Sequence, residues 1–410
     1  MDINLKNIPF LKDIDVANKT CVVRLDFNVP IKNGIIIDAS RINAAKKTID
    51  YLLVNNCKII VLSHLSRIKT ADDITSNKKS LSIVAKKMKD FFPKTKISFV
   101  ANNVDKNLPK IIKSMHYKEI LLLENTRYQD FDLKSQKQVK LESKNNQELA
   151  KFWASLGDVF VNDAFATIHR CHASNAGIAS FSKIKCIGFL IKQELENILK
   201  FNSLSPKPIV SIVGGSKISD KIILLEKLFI VSDLVLIGGG MAFTFLKSLG
   251  VNVGKSIVEN EMIPIAKNLY EKYKNKMLLP IDVACCHTFT NETRLEFSIK
   301  NIPNNLMGLD IGKKTIKQYT RIINKANTIF WNGPTGVFEF NNFANSTKAI
   351  VESIVKTTSN NDATSIIGGG DTAAAALTFA KKSDFTWVST GGGATLAVIQ
   401  GDALPGLFYK

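Results

Sequence analysis

Four times in the second half of this chain, a short apolar run leads straight into a cluster of glycines. Ile209-Val210-Ser211-Ile212-Val213 precedes Gly214-Gly215-Ser216-Lys217, and Leu234-Val235-Leu236-Ile237 precedes Gly238-Gly239-Gly240. Ser365-Ile366-Ile367 precedes Gly368-Gly369-Gly370-Asp371-Thr372, and Thr386-Trp387-Val388-Ser389-Thr390 precedes Gly391-Gly392-Gly393. Short β-branched runs of this kind suit strands buried in a parallel sheet. Glycine directly after such a strand lets a ligand approach the backbone and bares N–H donors. Helix-forming sequence follows most of the clusters, so helix N-termini should face the same crevice beyond the strand ends. A single cluster reads as a tight turn. Four with one grammar predict a site for a phosphate-rich ligand.

The first half alternates in the same way but carries different residues at its strand ends. Cys21-Val22-Val23-Arg24-Leu25 leads to Asp26-Phe27-Asn28-Val29-Pro30, and Ile59-Ile60-Val61-Leu62 leads to Ser63-His64-Leu65-Ser66-Arg67. Ile120-Leu121-Leu122-Leu123 leads to Glu124-Asn125-Thr126-Arg127, and Val159-Phe160-Val161 leads to Asn162-Asp163-Ala164-Phe165 and then His169-Arg170. Helix-like segments such as 40–54 and 82–92 lie between them, which argues for a second doubly wound βαβ domain. A length of 410 residues also exceeds one hydrophobic core. The expected fold class is therefore α/β, with two doubly wound, Rossmann-like parallel sheets and a cleft between them. Residues 1–190 form the first domain, 191–201 a joining helix, 202–393 the second domain, and 394–410 a terminal segment packing back on the first. The helix is read from Leu195, Ile198 and Leu199 on one side of 192–201. The polar, lysine-rich stretch 134–147 reads as an exposed loop or frayed helix.

Only seven arginines occur beside 48 lysines. A chain so committed to lysine plausibly keeps arginine where a planar, two-pronged fork is needed, and carboxylates and phosphates are its usual targets. Arg41, Arg67, Arg127 and Arg170, together with His64, therefore read as a pocket for a small anion, against the plainer reading of surface ion pairs. The second half offers glycine amides, Lys217 and Lys221 to a phosphate chain.

The formal charge of +19 raises nucleic acid as a partner. The lysines are spread along the whole chain, however, and no basic stripe interleaved with aromatics appears. A solvated basic surface is the better account, and no dedicated nucleic-acid site is expected. No apolar stretch approaches the ~20 residues of a membrane span, and residues 1–14 lack a signal-peptide core. A cytoplasmic protein without a membrane partner is expected. The six cysteines show no metal-ligand or disulfide spacing. His169, Cys171 and His172 lack a second ligand pair, so zinc is not expected there. Gly254-Lys255-Ser256 imitates the end of a P-loop, but Gly250 is one residue too close and no strand precedes it. No G-x-G-x-x-G follows any of the strands, which disfavours a nicotinamide dinucleotide.

Taken in order, these motifs resemble phosphoglycerate kinase over nearly the whole chain. The resemblance is carried by 24–30, 63–67, 162–165, 214–217, 238–242, 331–334, 336–340, 368–372 and 389–393. It implies reversible phosphoryl transfer in glycolysis between ATP, with Mg2+, and the carboxylate of 3-phosphoglycerate. By that resemblance the products would be 1,3-bisphosphoglycerate and ADP, the enzyme would be a monomer, and domain closure would bring the substrates in line. It implies further that Asp26, Phe27, Asn28, Arg41, His64, Leu65, Ser66, Arg67, Arg127 and Arg170 hold the phosphoglycerate. The nucleotide falls to Gly214, Lys217, Lys221, Gly238, Gly308, Asn332, Pro334, Glu339, Gly369, Gly370, Asp371 and Thr372. Arg41, Lys217 and Lys221 would be catalytic, Asp371 would lie at the magnesium and Glu339 near the ribose. The acceptor is already an ionised carboxylate, so positioning and charge neutralisation should suffice without a general base. The chain departs from the family pattern at Ser66, Ile68, Ala166, Ile168 and Lys313, where Gly, Pro, Gly, Ala and Pro are usual. None of these removes a charged site residue.

Overall fold

The computed structural model describes residues 3–408. They form two compact units: one runs to Glu196 and takes the chain back from Gly401, and the other is Asn197–Gln400. The first is built on six parallel strands, Thr20–Arg24, Lys58–Leu62, Ile97–Val100, Ile120–Leu123, Val159–Asn162 and Ile184–Ile187. Numbered along the chain, their order across the sheet is sixth, fifth, first, second, fourth, third. Burial on both faces explains why the central residues of these runs are apolar. Cys21, Val23, Ile59, Val61, Ile120 and Leu122 pack into one core layer, while Val22, Ile60, Leu62, Leu121 and Leu123 pack into another. Each side chain so buried contributes about 1.5–3 kcal/mol.

The second unit also has six parallel strands: Ile209–Val213, Leu234–Ile237, Met277–Leu278, Thr328–Asn332, Thr364–Ile367 and Trp387–Val388. Their order is third, second, first, fourth, fifth, sixth. The direction of winding reverses between Ile209–Val213 and Thr328–Asn332, which is where open α/β sheets leave a crevice for ligands. A separate antiparallel sheet, with Asp282–Cys286 between Leu295–Ser298 and Met307–Ile311, was not legible as such in the sequence.

Several local features differ from the sequence expectations. The segment 40–54 is two helices, Ser40–Ala44 and Lys46–Val54. The helix expected from Lys192 begins at Phe189 and ends at Ile198. Buried Asp163 explains the early start: it accepts Ile191 N at 3.0 Å and Thr48 Oγ1 at 2.5 Å, and Thr48 Oγ1 accepts Phe189 N at 3.0 Å. Burial pushes the Asp163 carboxyl up to about 7. The stretch 134–147 is not simply an exposed loop. It opens in a short hairpin, Phe131–Asp132 with Lys137–Gln138, and then buries Glu142 completely.

The returning end of the chain is clipped onto the first unit. Gly406 N donates to Ile168 O and Gly406 O accepts from Asn162 Nδ2, both at 2.9 Å. A Cβ at Gly406 would lie 2.8 Å from Ile168 Cα, so a side chain cannot be accommodated without displacement. Phe408 then meets the edge of Phe160, with ring centres 5.9 Å apart.

Lys313 opens the helix Lys313–Ile323, and Asp282 accepts the N–H groups of Lys314 and Thr315 at 2.9 and 2.8 Å. The first helical N–H has no intrahelical partner, and Gly312 is extended (φ −80°, ψ 171°), as a residue before proline prefers. Lys313→Pro is therefore expected to stabilise the second unit by about 0.4–1 kcal/mol. A lowered thermal midpoint would show that this N–H is needed.

Candidate active site

At the reversal point of the second unit, Gly214 N donates to Asn332 O at 3.0 Å and Gly215 N to Pro334 O at 2.9 Å. These bonds zip the two strand ends together and open a cavity of about 280 Å³ in front of them. Gly215, Ser216, Lys217 and Lys221 form one wall, and Asn332, Gly333 and Pro334 another. Gly369 to Thr372, with Gly392 and Gly393, complete it. Gly369 has φ +105° and caps the helix Gly370–Phe379 without a side-chain acceptor, so the first amides of that helix are left for a ligand. The helix Gly392–Gln400 starts in the same cavity. Thr372 Oγ1 accepts Gly333 N at 2.7 Å, and Asn332 Nδ2 donates to Gly368 O at 2.6 Å, which locks the loops to each other. Lys221 Nζ donates to Asn332 Oδ1. Burial lowers the Lys221 ammonium to about 8, opposed by the charges of Asp371 and Asp220. Bound phosphate would restore its full charge at neutral pH.

Three of the four glycine turns thus converge on one cavity. The fourth, at Gly238 to Gly240, supports it from behind: Gly239 N donates to Thr335 O at 2.9 Å and Met241 N to Gly215 O at 3.0 Å. Gly214 and Gly238 are glycines because Pro334 and Thr335 pass too close for a Cβ. Gly308 is one because the Phe243 ring covers it. Those three and the exposed Glu339 do not line the cavity. The P-loop look-alike is a tether, with Lys255 N on Leu306 O at 2.7 Å and Ser256 Oγ accepting Gly308 N at 2.9 Å.

The first unit holds a cavity of about 440 Å³ lined by Arg67, Arg127, Arg170, Lys69, Lys140 and His172, with Asp130 as its one carboxylate. Arg127 Nη1 donates to Ser143 Oγ at 3.0 Å and lies 3.5 Å from Asp130 Oδ2. Burial lowers the Arg170 guanidinium, and the charges of Arg127 and Arg67 lower it further. Cations crowded in this way are relieved by an anion. Lys69 and Lys140 escaped the sequence reading, since nothing distinguishes these lysines from the others, and His172 entered it only as a rejected zinc ligand.

Arg41 does not line this cavity and instead forms an ion pair with buried Asp26. Asn28 Oδ1 accepts Ser66 N at 2.8 Å, which holds Ser66 at φ +58° where the family usually has glycine. Phe27 and Leu65 lie in the core, and their amides donate to Ser63 Oγ at 2.8 Å and Asn125 Oδ1 at 3.2 Å. His64 Nδ1 is 4.0 Å from Asp26 Oδ1 but only 3.1 Å from Arg24 Nη2. Burial holds the ring's pKa well below the usual range, and the charges of Arg24, Arg127, His172 and Arg41 add to this. His64 is therefore neutral rather than half of an ion pair. Arg24 is the principal residue that sequence reasoning missed. Its signal was a lone cation ending a buried apolar strand.

Among the described residues no three His, Cys, Asp or Glu side chains could cage a metal. Asp371, exposed in the first turn of Gly370–Phe379, is a lone carboxylate beside phosphate-binding amides. That donor set fits Mg2+, which typically binds one or two carboxylates together with substrate phosphates.

Comparison with known proteins points to one family. The sequence model of the family described as phosphoglycerate kinase matches residues 11–402. The phosphoglycerate kinase of Mycoplasma genitalium is 48% identical over 406 residues, which are 98% of each chain. That of Fusobacterium nucleatum is 45% identical over 402 residues, 97% of this chain and 98% of the relative. The solved phosphoglycerate kinase of Coxiella burnetii superposes with a TM-score of 0.84 at 36% identity, covering 98% of both chains.

Proposed function

The chain belongs to the phosphoglycerate kinase family, and from that premise we propose how its residues divide the reaction. The activity is reversible transfer of a phosphoryl group between MgATP and the carboxylate of 3-phosphoglycerate, giving 1,3-bisphosphoglycerate and MgADP in glycolysis. The enzyme acts on small molecules and, as is typical of its family, as a monomer. The alternative of a basic nucleic-acid-binding module is not supported. The best support for our division is that the arginine cavity and the glycine cavity lie in different units. Each offers what its substrate requires: guanidinium forks for a compact anion, and backbone amides with lysines for a phosphate chain.

In our reading, Arg67, Arg127 and Arg170 hold 3-phosphoglycerate with His64, Asn28 and the loop at Leu65 and Ser66. Asp26, backed by Phe27, aligns Arg41 with the reacting carboxylate. Gly369 to Thr372, Asn332 and Pro334 hold the phosphates, with Gly214 and Gly238 shaping the turns behind them. Gly308 and Glu339 serve the nucleoside. Asp371 would hold Mg2+, which when bound draws charge from the phosphates. Lys217 and Lys221 neutralise the transferring group, and closure of the two units brings the substrates in line. Residues 1–190 and the returning stretch from Gly401 thus serve the phosphoglycerate and 191–201 the closure, while the nucleotide region expected to end at 393 extends to Gln400, because the helix Gly392–Gln400 belongs to the second unit. We also infer a cytoplasmic site of action, among the other glycolytic enzymes, which cell fractionation would check. No helix among the described residues is long and apolar enough to cross a membrane.

A coupled assay tests the activity: turnover should require both 3-phosphoglycerate and Mg2+ with ATP, and turnover with other small carboxylates alone would overturn it. Arg41→Lys keeps the charge but loses the fork. It should lower kcat/KM for 3-phosphoglycerate by about tenfold, the cost of one charged hydrogen bond. MgATP affinity should change little. A collapse of MgATP affinity instead would place Arg41 in the other site.

A further inference from the structure

Behind the arginine cavity runs a buried chain of polar side chains joining residues far apart in sequence. Arg24 is fully buried at the end of its strand, and burial lowers it to about 10, so it stays charged at neutral pH. Its Nε donates to Ser174 Oγ at 2.8 Å, its Nη1 to Leu25 O, and its Nη2 lies 3.1 Å from His64 Nδ1. Ser174 Oγ donates in turn to Glu142 Oε1 at 2.5 Å, and Ser174 N donates to Oε2 at 3.0 Å. Glu142 is fully buried; burial pushes its carboxyl up, while Arg24 and the Ser174 donors pull it down.

The donors and acceptors close in only one direction. A serine hydroxyl has one proton, and here it is committed to Glu142, so its oxygen is free to accept from Arg24. A guanidinium only donates, so His64 Nδ1 must present a lone pair to it. The neutral ring then carries its proton on Nε2. Resting on the kinase reading of the site, we propose that Glu142, Ser174 and Arg24 are positioning residues. They fix His64 as the Nε2–H tautomer, so that a neutral histidine donates a hydrogen bond to bound 3-phosphoglycerate. Glu142 acts as the counter-charge that lets Arg24 remain buried, and Ser174 as the link that orients it. A neutral donor has a use here. A charged His64 would add to the repulsion already present among Arg67, Arg127 and Arg170 and would strengthen ground-state binding of a substrate that must leave as product.

The tautomer is read directly by 15N NMR of the histidine-labelled enzyme. His64→Gln assigns the His64 signal among the five histidines. In the unmodified enzyme, Nδ1 should be unprotonated and Nε2 protonated from pH 8 down to pH 6. An Nδ1–H tautomer or an imidazolium signal in that range would overturn the proposal, without reference to activity. Ser174→Ala breaks the link. His64 should then populate both tautomers, and KM for 3-phosphoglycerate should rise about tenfold while kcat changes less. Protonation of the ring should stay suppressed in the alanine enzyme, because the burial and the neighbouring cations that hold it neutral are untouched. That titration is set by the groups facing the ring: Arg24, Asp26, Arg41, Arg127 and His172. A Ser174→Ala enzyme with only a lowered melting point, an unchanged tautomer and an unchanged KM would reduce the chain to a structural feature and defeat the proposal. If the parent enzyme shows the Nε2–H tautomer but does not turn over 3-phosphoglycerate, the functional reading fails and the chain's action on His64 stands. Should the alanine enzyme fail to fold, the parent spectrum decides.

Discussion

Replacing Lys217 with alanine is expected to lower kcat by about 10² or more, the scale on which single electrostatic donors act in a transition state. The side chain is exposed, follows the turn at Gly214 to Ser216 and lines the glycine cavity. Truncating an exposed lysine removes little packing, so thermal stability should move by less than about 0.5 kcal/mol. Lost turnover would then reflect charge rather than folding. MgATP should still bind, because the amides of Gly369 to Thr372 and the Lys221 ammonium remain. Interactions formed mainly in the transition state appear in kcat more than in KM. A Lys217→Ala enzyme with near-normal kcat would remove this lysine from the chemistry.

Gly369→Ala should damage both the stability and the ligand affinity of the glycine cavity. At φ +105° and ψ 144° an L-residue is strained, at a cost of about 1–3 kcal/mol. The added Cβ would also lie 2.8 Å from Asn332 Nδ2 and 3.0 Å from Thr372 Oγ1. Those atoms bond Gly368 O and Gly333 N, so relieving the contact unlocks both phosphate-facing loops. We expect the second unit to lose about 2–4 kcal/mol of stability and KM for MgATP to rise by one to two orders of magnitude, in line with strain plus a broken buried bond. Equilibrium unfolding and a titration of MgATP at saturating 3-phosphoglycerate measure the two effects. Normal affinity in a stable Gly369→Ala enzyme would mean that the nucleotide does not use this turn.

What could be read from the sequence followed from residues whose meaning is local. A β-branched run ending in glycine signals its strand and its turn within ten residues, and an arginine in a lysine-rich chain is conspicuous wherever it stands. Ligand-facing and merely close-packed glycines look alike, however. Gly215 opens onto the cavity, whereas Gly214 beside it is small because Pro334 crosses over it. The network at Arg24 was illegible for the opposite reason. Its partners stand 40 residues away at His64 and 150 away at Ser174, and only the fold brings them together. Glu142, set among lysines and asparagines, reads as a solvated charge until its burial is seen. The same holds for Asp163, whose capping of Phe189–Ile198 moves the helix start three residues upstream of the apolar pattern.

The route of the chain bears on how the molecule is made. The unit Asn197–Gln400 is one uninterrupted run, whereas the other is finished only by the stretch from Gly401 onward. During synthesis the earlier-made half must therefore wait for that stretch to emerge. Until then Asn162 Nδ2 and Ile168 O lack their Gly406 partners, and Phe160 lacks the ring that covers its edge. The later-made half, with every strand of its own sheet already present, can mature first. A chain stalled after Gln400 would carry a complete second unit and an unfinished first one, so the half that is made first closes its fold only after the half made later.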